Sequence, residues 1–257
     1  MTPVFALFLL RASLGLLGSL AFVPDKAGER FFKLCSAAAA FMLVAALGLV
    51  GEKGGPALPK AFSGALLLCA LAAVLYNRAW HFGWSRLRAS FLSVGILAGL
   101  AAFLVLAPPQ GRILAFATDV TSAWLLGSAA AAMILGHYYL VVLDLPTAAL
   151  RRLTLLLIFG LVARGGVLLY ALLGPGRLGL DEALFVASGL FSADGVFVWM
   201  RVLFGIFGPA SLLWFIWKTV EIRSTQSATG ILYVQLFLVL SGELLSTYLR
   251  VVAGLPL

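Results

Sequence analysis

The chain has 257 residues, of which 63% are hydrophobic and 11% charged, and its mean hydropathy is +1.09. An ordinary soluble domain carries about 25% charged residues, so too little polar surface is present to coat a water-soluble particle and the bilayer is the expected solvent. Eighteen Lys and Arg against ten Asp and Glu leave a net charge of +8. The basic residues are scattered over short turns and form no stripe interleaved with aromatics, which excludes nucleic acid as a partner.

Chemistry-bearing motifs are equally sparse. CxxC, HExxH, GxGxxG and GxxxxGKS/T patterns are absent. Cys35 and Cys69 fall inside apolar runs and read as small packing residues, so no metal site is expected. Residues 1–257 read as a single transmembrane domain of the all-α class, a polytopic helical bundle of about eight spans.

The first apolar stretch, 3–23, lacks a basic segment before it and carries Arg11 midway, so it reads as a retained span and not as a signal peptide. A span needs roughly 20 apolar residues. Seven further stretches meet that length, at about 32–51, 61–77, 89–107, 114–142, 153–173, 195–217 and 226–249. The breaks between them are polar or rich in Pro and Gly, as in "GEKGGPALPK" and "NRAWHFGWSRLR".

The first, third, fifth and seventh loops hold ten basic residues: Lys26, Arg30, Lys33, Arg78, Arg86, Arg88, Arg151, Arg152, Lys218 and Arg223. The other three hold four, Lys53, Lys60, Arg112 and Arg177. The positive-inside rule therefore puts both termini on the outer side. Loop six contains "LDEALFVASGLFSADG", which has the amphipathic pattern of a short interfacial helix.

Five ionisable residues fall inside the spans: Arg11, Asp119, Arg164, Arg201 and Glu243. Such groups are costly in lipid and normally pair or mark a functional path. At a helical rise of ~1.5 Å per residue all five lie near the middle or in the outer half, making one charged layer. Asp119 stands out because Thr118, Thr121 and Ser122 surround it with hydroxyls able to hydrogen-bond a carboxylate or a polar ligand. A competing reading makes the five structural ion pairs, with Arg11 and Arg201 snorkelling toward the interface.

At the opposite end, His137 sits with Tyr138 and Tyr139 in "GHYYLVVLDLP". An imidazole there can hydrogen-bond a quinone carbonyl or ligate a haem. A second axial histidine would have to be His81, which follows span three on the same side, and haem is the less favoured of the two. The competing and favoured reading is a histidine hydrogen-bonded at the interface, with its tyrosines in the aromatic belt. Gly165–Gly166 and Gly208–Pro209 are places where helices can be interrupted near a midplane site. "CSAAAAF" and "GSAAAAMILG" supply small residues for close helix packing.

The last two spans, "DGVFVWMRVLFGIFGPASLLWFIWKTVEI" and "ILYVQLFLVLSGELLSTYLR", resemble the closing helix pair of the NrfD-like anchors of polysulfide and dimethyl sulfoxide reductases. Trp199, Arg201, Gly205, Gly208 and Pro209 match the penultimate span's aromatic, basic, Gly and Pro pattern. Gly242, Glu243, Leu244 and Tyr248 match the final span. The resemblance covers some 55 residues. It departs at Thr247, where the family has Arg before the aromatic, and the family's His-Leu-Gly-x-Pro element is echoed only by His81, Phe82 and Gly83 on the other side.

The resemblance implies an integral subunit of a quinone-linked electron-transfer complex in a bacterial-type inner membrane. It implies a soluble protein partner, with Asp119, Arg201 and Glu243 handling quinone or protons. The alternatives are an ion-coupled transporter and an assembly subunit without chemistry of its own. A catalytic constellation that would make the chain an enzyme by itself is not expected, because the histidines lie away from the acidic pair.

Overall fold

The computed structural model describes residues 2–50, 59–142, 147–173 and 195–252, and among them there is helix and no strand. The helices are α1 (Thr2–Leu20), α2 (Glu29–Val50), α3 (Lys60–His81), α4 (Ser85–Leu106), α5 (Arg112–Val141), α6 (Ala148–Leu173), α7 (Gly195–Val202), α8 (Gly208–Glu221) and α9 (Thr225–Val252), with one 3₁₀ turn at Asp25–Ala27. A π-helical stretch, Leu203–Phe207, joins α7 to α8, so these form one span. Among the described residues eight helices are then long and apolar enough to cross a membrane, and the protein is a multi-pass membrane protein. The amphipathic segment expected in loop six lies outside the described residues.

The expected spans match the observed ones within a few residues, and the differences are physical. Helix α3 continues through Arg78 to His81, residues expected in a loop. It stops only at Gly83, whose φ of +69° is a left-handed helix terminator. The Trp84 amide then bonds back to the Ala79 carbonyl at 2.9 Å, which leaves a three-residue turn before α4. Gly165 and Gly166, read as a possible interruption, lie inside an unbroken α6.

The centre of the bundle is α5. It packs against α1, α6 and α9, while α1 to α4 follow one another as neighbours and α9 lies along α7 and α8. Ala129, Ala131 and Ala132 of α5 are buried, and large side chains such as Phe41, Leu97, Phe159 and Phe237 face outward. That inversion suits a lipid surround, where helices associate by close van der Waals packing of small residues. Cys35 and Cys69 are both buried and free, as packing residues should be.

The tightest crossing is between α1 and α5. A Cβ built on Gly15 would stand 1.7 Å from the Ala123 carbonyl oxygen, and one on Gly127 would stand 1.8 Å from the Gly15 carbonyl carbon. These two backbones touch with no room for a side chain. This crossing brings the middle of α1, including Arg11, against α5.

Gly127→Val should therefore destabilise the protein by about 3 kcal/mol or more, because the obstacle is backbone. Gly165→Ala, where nothing lies within 4 Å of the new atom, should be neutral or stabilising by up to ~1 kcal/mol from helix propensity. Thermal unfolding in detergent measures both, and equal effects would contradict the packing described.

Candidate functional site

The sequence places Arg11 on α1, Asp119 on α5, Arg164 on α6, Arg201 on α7 and Glu243 on α9. The fold brings all five into one buried layer, each with 0% exposure. They form two groups. In the first, Arg11 donates from Nε (2.9 Å) and Nη2 (2.5 Å) to the same oxygen, Asp119 Oδ1. Arg11 Nη1 donates to Thr247 Oγ1 at 2.8 Å. Arg250 also donates to Asp119 Oδ1.

In the second group, Glu243 Oε1 accepts from Arg164 Nε at 3.1 Å and from Arg201 Nη2 at 3.0 Å. Arg164 Nη2 donates to Ser246 Oγ at 2.6 Å. The two groups meet on α9. Thr247 accepts from Arg11 and passes its own hydrogen to the Glu243 carbonyl at 2.7 Å, one helical turn back. Each carboxylate thus faces two guanidinium groups, which offsets the large desolvation penalty of a buried charge.

Local backbone features make room for Arg201. A Cβ on Gly205 would lie 1.6 Å from Arg201 Nη1, and one on Gly242 would lie 2.2 Å from the Gly205 Cα. The guanidinium group therefore fills the space a Gly205 side chain would take, while α9 presses directly on the π stretch. Pro209 has no N–H to give to the carbonyl four residues back, and its ring would collide with that carbonyl in a regular helix. The Gly208 amide instead reaches the Leu203 carbonyl five residues back, the wider turn of a π-bulge, a feature frequent at functional sites.

The layer corrects the sequence reading in three ways. Arg11 and Arg201 do not snorkel; both are wholly buried on carboxylates. The hydroxyls flanking Asp119 are not its partners: Thr121 bonds the Ala117 carbonyl at 2.7 Å, Ser122 faces Glu243, and Thr118 Oγ1 makes no hydrogen bond among the described residues. Arg250 joins the layer although the span was expected to end before it. The signal that would have found Ser246, Thr247 and Arg250 is their spacing of three, four and seven residues from Glu243, which puts them on its face of the helix.

A second site lies at the other end of α5 and α9. His137, Tyr138 and Ile134 of α5, Arg30 and Leu34 of α2, and Tyr233 of α9 line a partly open groove of about 290 Å³. Its wall is nearly all apolar, and Arg30, His137, Tyr138 and Tyr233 are the polar side chains among those that line it. His137 Nδ1 and the Tyr233 hydroxyl are 3.1 Å apart, and the rings meet edge to face. Sequence reasoning missed Tyr233, which is 96 residues away in the chain.

Of the neighbours expected to work with His137, Tyr138 lines the groove and Tyr139 does not; the latter is buried in the core. His81 is exposed at the last turn of α3 and does not line this groove. Among the described residues no group of three or more His, Cys, Asp and Glu side chains could hold a metal ion. Compared with family models, curated proteins and solved structures, the chain matches none.

Asp119 faces Arg11 and Arg250, so Asp119→Asn strands two cations and should destabilise by about 3–5 kcal/mol. Arg11→Met leaves Arg250 on Asp119 and should lose clearly less. Comparing the two by thermal unfolding in one detergent tests the pairing, and the reverse order would refute it.

Proposed function

We propose that this chain is the quinone-binding membrane subunit of an electron-transfer complex in a bacterial-type inner membrane, with both termini on the outer side. The single observation that carries the reading is the His137 groove. It is partly open, its wall is nearly all apolar, and Arg30, His137, Tyr138 and Tyr233 line it, a combination that suits a molecule with an isoprenoid tail and a polar ring. A volume near 300 Å³ is at the lower end for small-molecule sites and accommodates one ring.

The residues present fit such a ligand. When Tyr233 donates to His137 Nδ1, the imidazole carries its proton on Nε2 and can donate to a carbonyl oxygen. Tyr138 offers a hydroxyl, and Arg30, also lining the groove, offers a cation. A bound quinone would supply two-electron, two-proton chemistry, while the chain positions the ring and provides a proton donor beside it. The electrons would come from or go to a separate cluster-bearing protein, in line with the resemblance of the last two spans to NrfD-like anchors.

A second reading, coupled transport of an ion or small solute, is favoured by the π stretch beside Arg201. Irregular helices at buried charge are where transporters build sites. Uptake into proteoliposomes above that of protein-free liposomes would favour transport over quinone chemistry.

Under the first reading the purified protein binds a short-chain ubiquinone in detergent, measured by calorimetry. His137→Ala should weaken that binding about tenfold, the ~1.4 kcal/mol expected for one hydrogen bond. Tyr233→Phe should weaken it less, since the imidazole remains. An affinity unchanged in His137→Ala would sink the proposal.

A further inference from the structure

Away from the charged layer and the His137 groove, a third cluster lies at the end of the bundle opposite both termini, where α6 begins beside the end of α8. Arg151 and Arg152 stand about one turn inside the start of α6, and Lys218 about one turn before the end of α8. The Arg151 guanidinium carbon lies 5.1 Å from the centre of the Trp217 ring, and Lys218 Nζ lies 5.2 Å from the centre of the Trp214 ring. Trp217 and Lys218 are chain neighbours, so Arg151 and Lys218 flank one junction between the two helices.

Charge at this junction is not balanced by the chain. Lys218 meets Glu221 at 2.9 Å, whereas Arg151 and Arg152 make no ion pair among the described residues. Three cations therefore face one carboxylate. The start of a helix is the positive end of its dipole and favours acidic side chains, yet the first turn of α6 contains none. The arginines and the helix end both call for an anion from outside the chain.

The surface toward the middle of the membrane shows what carries that anion. Leu155, one turn along α6 from Arg151, and Trp214, one turn back along α8 from Lys218, are both exposed. Cations with apolar side chains directly beneath them fit an amphiphile. A soluble acidic protein would match the charge and leave the apolar surface uncovered. Arg151 also lies only about 5 Å inside the end of its helix at ~1.5 Å per residue, which is headgroup level.

We propose that the α6–α8 junction binds an anionic phospholipid, with its phosphate on Arg151 and its acyl chains over Leu155 and Trp214. A guanidinium group donates two parallel N–H bonds to phosphate oxygens. Contact with the Trp217 ring restricts Arg151 before the lipid arrives, which lowers the ordering cost of binding. Arg152 and Lys218 add attraction for the remaining negative charge of the headgroup. The inference does not rest on what the His137 groove binds.

The test is native mass spectrometry of the full chain in detergent, titrated with phosphatidylglycerol and with phosphatidylcholine of the same chain length. Phosphatidylglycerol should bind about tenfold more tightly, and Arg151→Gln/Arg152→Gln should remove most of that preference, at roughly a fivefold loss per cation. Arg112→Gln, which changes an exposed arginine at the opposite end of the bundle, should leave it intact. Equal binding of the two lipids overturns the choice of headgroup. A preference kept by the double variant, or lost equally in Arg112→Gln, overturns the site.

Glycerol 3-phosphate, a headgroup phosphate without chains, should not displace phosphatidylglycerol at equal concentration, and displacement overturns a lipid as the occupant. The substituted side chains are exposed, so thermal unfolding in lipid-free detergent should match that of the unchanged protein. Should the double variant unfold early, Arg151→Gln alone, with its roughly fivefold loss, gives the same reading. Failure of quinone binding leaves every arm readable, because none uses quinone.

Discussion

A guanidinium group buried in a membrane protein must meet an anion, and in this chain that requirement ties the first helix to the second half of the fold. Arg11, Arg164 and Arg201 are wholly buried on three different helices, and each ends on one of two carboxylates. The pairing is long-range in sequence, with separations of 108, 79 and 42 residues. Helices α1, α5, α6, α7 and α9 are tied at one depth, and a shift of any of them along its axis would leave a charge without its partner. In an apolar surround, where the hydrophobic effect gives no preference for one register over another, this constraint selects the register.

Glycine makes the pairing geometrically possible. Gly15 and Gly127 bring the α1 and α5 backbones into contact, within about one turn of Arg11 on α1 and two turns of Asp119 on α5. Gly205 and Gly242 do the same for the π stretch and α9, and the Arg201 guanidinium occupies the space that a side chain on Gly205 would need. The π stretch itself follows from Pro209, whose ring a regular turn would not accept. Charge, glycine and the helix irregularity are therefore one design: short reach between backbones lets large, rigid guanidinium groups end on carboxylates without a gap.

The two polar regions have opposite character, and this separates their chemistry. The charged layer is buried and ionic. The His137 groove is partly open and nearly all apolar along its wall. Along α9 the buried Val239 lies between Tyr233 at the groove and Glu243 in the layer. The quinone-linked subunit proposed above would use the apolar groove for its carrier and leave the ionic layer to hold the helices.

Much of the architecture was legible in the residues. Eight spans followed from run length, since a bilayer of fixed thickness demands about 20 apolar residues per crossing, and the depth of the five charges followed from the helical rise. Position along a helix is a one-dimensional quantity that sequence carries. Where sequence reasoning failed, it failed on lateral questions. It ended the last span before Arg250, did not find that Asp119 meets Arg11 and Arg250 and not its own neighbouring hydroxyls, and missed Tyr233 as the partner of His137.

What the sequence determined by itself is the solvent of this protein, its eight helices and the depth of each charged residue, because those depend on composition and spacing along the chain. Only the tertiary structure decided which arginine meets which carboxylate, that the snorkelling alternative for Arg11 and Arg201 is wrong, and that His137 opens into an apolar groove. Those outcomes depend on the rotation and neighbour of each helix, which are set by contacts between residues far apart in the chain.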